Sequence, residues 1–133
     1  MSGESLVHIR LVEHLIVHVR ERHKPPRGLL LLADHRDFGL DRPPSVGGYL
    51  PDLFASDLPA TFEVIGEAKT PIDLETERSA RQIRAFLDHL AVRRGSTFYL
   101  SVPPFTKARA QAVLGRLIRA EHAGVTTEVI EGV

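Results

Sequence analysis

Four clusters of helix- and strand-breaking residues decide where regular structure must stop: Pro25-Pro26, Pro43-Pro44, Gly47-Gly48 and Pro103-Pro104. Between them the apolar residues keep recognisable periods. Residues 4–24 read as a helix with Leu6, Ile9, Ile16 and Val17 on one side and Leu11, Val12, Leu15 and Val19 on another. A helix apolar on two sides is expected to lie between the domain and a second body, such as another subunit. Residues 29–33 form a short apolar strand, followed by a polar loop over 34–48. Residues 49–55 and 62–70 read as two strands, and the short turn between them makes an antiparallel hairpin. A helix over 74–94, a strand over 97–102, a helix over 105–122 and a strand over 126–130 complete the chain. The order αβββαβαβ predicts an α/β fold, a mixed central sheet flanked by helices on both faces.

The 133 residues suit one domain, 1–133. There is no Cys, so disulfide scaffolds, thiolate zinc sites and cysteine nucleophiles are excluded. The longest wholly apolar run, Leu29 to Ala33, is too short to span a bilayer. No apolar signal core precedes the first helix, so a cytoplasmic location is expected. Seventeen basic and 17 acidic residues cancel, which argues against coating nucleic acid by bulk charge. With no Trp and two Tyr, an aromatic shelf for stacking bases is not expected either.

The chemistry concentrates in Pro51-Asp52, then fourteen residues, then Glu67-Ala68-Lys69. Alternation along a strand puts Glu67 and Lys69 on one face, and Asp52 shares its face with Leu50 and Phe54. The hairpin sets the two strands side by side, so Asp52, Glu67 and Lys69 can meet. Two adjacent carboxylates repel, and a hard divalent cation such as Mg²⁺ or Mn²⁺ relieves that. Such an ion acidifies water and neutralises charge on a phosphate oxygen, while an ammonium beside it steadies the same charge. Fourteen of the 17 basic residues are Arg, yet Lys stands at position 69, where a compact ammonium suits this role.

These residues resemble the PD-(D/E)XK nuclease superfamily, the fold of many restriction endonucleases and archaeal-type Holliday junction resolvases. The resemblance covers roughly residues 4–102 and rests on Pro51-Asp52, Glu67-Ala68-Lys69 and the αβββαβ order. It implies a restriction endonuclease-like core and a metal-dependent endonuclease acting on DNA. Asp52 and Glu67 would hold the metal and Lys69 would position the water. Such nucleases often carry a further acid on the first helix. Glu13 matches it, because on a helical wheel it falls among Leu6, Ile9, Ile16 and Val17 and so faces the core. Many also have a Gln-x-x-x-Tyr pattern on the next helix; here it is Gln82 with Phe86 in place of Tyr. Arg78, Arg81 and Arg84 follow the motif and are candidates for phosphate contacts. Two sites on a two-fold axis in a homodimer would suit cutting both strands of a duplex.

Other readings remain open. One is an ordinary cross-strand ion pair of Asp52, Glu67 and Lys69 on a solvated sheet face; another is a binding or assembly module whose site is vestigial or structural; a third is the same fold hydrolysing RNA or another phosphodiester. His14 and His18, spaced i and i+4, offer two zinc ligands without an evident third. Asp34, Asp37 and Asp41 lie in a segment rich in turn residues, which accounts for them simply.

Overall fold

The computed structural model describes residues 5–132. Helix α1 spans Leu6–Arg22, and its Ser5 cap accepts the His8 N–H at 3.1 Å. Strand β1 is Leu29–Ala33, β2 is Leu53–Asp57 and β3 is Glu63–Ala68. A single helical turn, α2, covers Pro71–Leu74, and α3 covers Glu77–Leu90. Strand β4 is Thr97–Val102, α4 is Lys107–Leu117 and β5 is Thr126–Glu131. The five strands lie in sequence order in one sheet. The β1–β2 and β2–β3 pairs are antiparallel, and β3–β4 and β4–β5 are parallel. This is the mixed, helix-flanked sheet that the pattern predicts. Among the described residues no helix is long and apolar enough to cross a membrane.

Each face of the sheet carries its own core. On one, Leu11, Val12, Leu15, Ile16 and Val19 of α1 pack on Ala33, Leu53, Ala55, Val64, Ala68, Tyr99 and Ile130. On the other, α3 and α4 cover Phe54, Ile65, Phe98, Leu100 and Val129, with Ile83, Phe86, Leu87 and Leu90 the deepest residues of α3. The small residues on the α1 side let the helix come close. A Cβ built on Gly66 would sit 3.1 Å from Leu15 Cδ2 and 3.3 Å from Leu53 Cβ.

One side of α1, Leu11, Val12, Leu15 and Val19, is the core face, and Ile16 joins it from the other strip, whose Leu6 and Val17 stay 61% and 53% exposed. The corrections concern bounds. The predicted strand over 49–55 begins at Leu53, because Val46 and Tyr49 close a tight turn and Pro51 has no N–H to give a ladder. Gly47 and Gly48 have φ of +60° and +87°, as a two-residue reversal needs. Gly47 also lies against α3, where a Cβ would come within 2.8 Å of Ala85 Cβ. The predicted helix over 74–94 is split, since Thr76 caps a new start by accepting the Ser79 N–H at 3.1 Å. The predicted helix over 105–122 ends at Leu117 and a 3-10 turn follows.

Candidate active site

The antiparallel β2–β3 pairing, with Leu53 opposite Gly66, sets Asp52 beside Glu67 at one end of the sheet. The two are joined through backbone and side chain together. The Asp52 N–H donates to Glu67 Oε1 at 3.2 Å, and the Ala68 N–H donates to Asp52 Oδ2 at 2.8 Å. Lys69 leaves the same strand end, its N–H bonded to the Ser101 carbonyl at 3.0 Å. Its ammonium lies 3.2 Å from Glu67 Oε2 and donates to Gln82 Oε1 at 2.5 Å. Gln82 comes from the buried face of α3. All four side chains are buried: Asp52 7% exposed, Glu67 4%, Lys69 9% and Gln82 7%.

The electrostatics follow from that burial. Desolvation pushes the Glu67 carboxyl well above the usual carboxylate range, and the Asp52 charge pushes it further; Lys69 opposes both. With all three ionised, the cluster keeps one uncompensated negative charge inside the protein. Both acidic donors are hard oxygens, and Lys69 is fixed by Gln82 to one side of them. The donor set and its excess charge fit a divalent cation of the Mg²⁺ or Mn²⁺ kind.

Glu13 is elsewhere. The expected core-facing position is wrong, because Glu13 belongs to the outer strip, its side chain is 52% exposed, and its carboxylate is hydrogen-bonded to His35 Nε2 at 2.9 Å. The α1 residue that does reach the acidic pair is His8, with Nε2 3.4 Å from Asp52 Oδ2. His8 and Glu13 are five residues apart, which is about 140° around a helix. The only sequence signal for His8 was its place one turn before the buried strip residue Val12.

The α3 arginines differ from one another. Arg78 sits over the Tyr49 ring at 5.6 Å, and Arg81 pairs with Glu77 at 3.3 Å. Arg84 is half-buried, and its Nε has no hydrogen-bond partner among the described residues. Phe86, at the Tyr position of the family pattern, is fully buried against Phe98 with ring centroids 6.4 Å apart, so it fills core and offers no polar group. His14 and His18 lie over the β4–β5 side, with His18 Nε2 3.5 Å from Glu128 Oε1. Among the described residues one trio of ligand-type side chains converges, Asp88, Glu121 and His122, with donor atoms within 4.8 Å of one another. There His122 Nδ1 accepts the Arg119 N–H at 3.0 Å, so the proton sits on Nε2 and is shared with Asp88 at 2.7 Å. Both ring nitrogens are used, and the trio explains itself as a structural contact.

No protein-family model matches the chain. No curated protein matches it either. Among solved structures it is similar to that of Pyrococcus furiosus SfsA in complex with Ca²⁺, with a TM-score of 0.53 and 18% identity. The likeness covers 92% of this chain and 57% of that one, so this chain spans little more than half of its neighbour. At that identity it is a likeness of fold alone: a five-stranded mixed sheet with flanking helices.

Proposed function

We propose that the chain is a metal-dependent endonuclease that hydrolyses DNA phosphodiester bonds at Asp52, Glu67 and Lys69. The observation that carries this reading is the convergence of two buried carboxylates and one ammonium, all tied to β2, β3 and α3. Asp52 and Glu67 would hold Mg²⁺ or Mn²⁺. When bound, the ion supplies an acidified water and neutralises charge that develops on the phosphate. The Ala68 N–H keeps the Asp52 carboxylate turned toward Glu67. Gln82 and Glu67 each take one N–H of the Lys69 ammonium, which leaves the third to orient the water or to donate to a phosphate oxygen. Gln82 is therefore a positioning residue for Lys69. Glu13, turned into a groove of its own, has no part in this assignment. Arg78 and Arg81, exposed on the helix that carries Gln82, supply phosphate contacts on the approach, with Arg84 beside them.

Purified protein is expected to cut DNA in Mg²⁺ or Mn²⁺ and to stop in a chelator. Lys69→Ala should lower the rate by about 100-fold or more, the usual scale for losing one charge-stabilising donor. Titration calorimetry should show Mn²⁺ binding that Asp52→Asn removes. Cleavage that survives Lys69→Ala undiminished would sink the assignment. Preference for a matched RNA over DNA would move the substrate, and absence of site-dependent metal heat would favour a binding module.

A further inference from the structure

The outer strip of α1 does not face open solvent along its whole length. Leu6 and Ile9 floor a cavity of about 460 Å³, whose far wall is the segment that follows β1. That volume is in the ordinary range of small-ligand sites. Its walls carry both signs of charge, but the two signs are not equally available. Asp34 is paired with Arg42, which also donates from Nε to the Gly39 carbonyl at 2.8 Å. Glu13 is bonded to His35, and His35 Nδ1 accepts the Asp37 N–H at 3.1 Å, so the ring proton sits on Nε2 and is directed at Glu13. Both acids of the wall thus already have partners. Arg10 and Arg36 line the same cavity, are exposed, and form no ion pair among the described residues. Two guanidinium groups above an apolar floor match a phosphate ester that carries a flat or apolar body.

Its position is as telling as its chemistry. The Asp34 N–H donates to the Asp52 carbonyl at 2.8 Å, so the cavity wall is joined to the backbone of a proposed metal ligand. We propose that this cavity receives one nucleotide of the substrate strand beside the bond that is cut. Arg10 and Arg36 take its phosphate, and Leu6 and Ile9 lie under its sugar or base. The identity of the ligand rests on the nuclease reading.

The test separates the two. In a Lys69→Ala background, which prevents turnover, binding of a fluorescent DNA duplex is followed by anisotropy in Mg²⁺. Arg10→Ala/Arg36→Ala should weaken it about tenfold and lower the slope of log affinity against log salt by about one. Lys107→Ala/Arg116→Ala removes the same charge from α4, on the other face of the sheet, and should weaken binding less than twofold. Equal losses in the two pairs would reduce the effect to bulk charge and overturn the proposal. With Lys69 restored, the Arg10/Arg36 pair should lose at least tenfold more kcat/KM on DNA than on bis(p-nitrophenyl) phosphate, which has no neighbouring nucleotide. Equal losses on both substrates overturn the subsite, because the arginines would then act through the reacting site or the fold. If the wild type hydrolyses neither substrate, the nuclease reading fails while the binding comparison still decides the cavity. A dimer that Leu6→Asp breaks without loss of DNA affinity would assign the strip to a second copy and also overturn the proposal.

Discussion

Glu67 carries the sharpest conflict in the molecule at the scale of single residues. Its carboxylate is buried, faces Asp52, and has one ammonium to answer two negative charges. A carboxyl that burial and a neighbouring acid hold above its unfolded value costs stability once it must ionise. Glu67→Gln is therefore expected to raise the metal-free protein's stability at neutral pH, by about 1 kcal/mol, while abolishing Mn²⁺ heat; chemical denaturation with and without metal checks both signs. A loss of metal-free stability would show that Lys69 needs Glu67 more than Asp52 suffers from it. A second group titrates in the accessible range. Burial holds His14 and His23 below the ordinary histidine range, helped by the His18 charge in both and by Arg22 beside His23. His23 also shares a 2.7 Å hydrogen bond with the Tyr99 hydroxyl, whose own pKa is pushed up to about 12 by burial and Glu128. The unfolded chain takes up these histidine protons near pH 6.5, and the folded chain resists them to lower pH. Stability is thus complete above about pH 6.5 and is lost as pH falls through the folded values. Urea midpoints should fall between about pH 7.5 and about pH 5.5, and His23→Gln should flatten part of that fall.

At the scale of elements, α1 decides which side chains arrive at the sheet end. Its seat depends on Gly66, where a Cβ would already crowd Leu15 and Leu53. Gly66→Val is expected to cost about 2 kcal/mol, the usual scale for overpacking, with α1 lifting from β3. The same seat explains what the sequence showed and what it hid. The strand Thr97–Val102 could be read to its bounds because a β-branched, aromatic run stands between Gly95 and Pro103. The Asp52–Glu67–Lys69 convergence was legible because a hairpin fixes which residues lie opposite each other. The orientation of α1 was not. Both its strips are apolar, so a helical wheel ranks them alike. The choice lies in the sheet, where Ala33, Ala55, Gly66 and Ala68 leave room for Leu11 and Leu15. Glu13 was therefore turned inward and His8 overlooked. Gln82 could be placed from the α3 stripe, but its bond to Lys69 depends on how α2 and Thr76 restart that helix.

The balance of 17 basic and 17 acidic residues matters for the whole molecule, because it leaves little field at a distance to draw in DNA. The charge that matters is local. Arg78 and Arg81 stand exposed on α3, Arg10 and Arg36 line the groove beside α1, and the Asp52–Glu67 pair, one charge in excess of Lys69, lies at the sheet end. On the proposed reading, that pair without metal would repel an incoming phosphate. A bound divalent ion reverses the sign there by adding two positive charges. DNA affinity should accordingly be weak and steeply salt-dependent in a chelator, since each phosphate neutralised contributes about 0.9 to the log–log slope. Mg²⁺ should then tighten it in the Lys69→Ala background. Adding Asp52→Asn to that background makes the argument testable in opposite directions at once. Losing one buried carboxylate should improve binding slightly in the chelator and erase most of the gain from Mg²⁺. Anisotropy titrations at two salt concentrations read both effects. Equal tightening by Mg²⁺ with and without the Asp52→Asn substitution would mean that the ion acts on the DNA and not at this site.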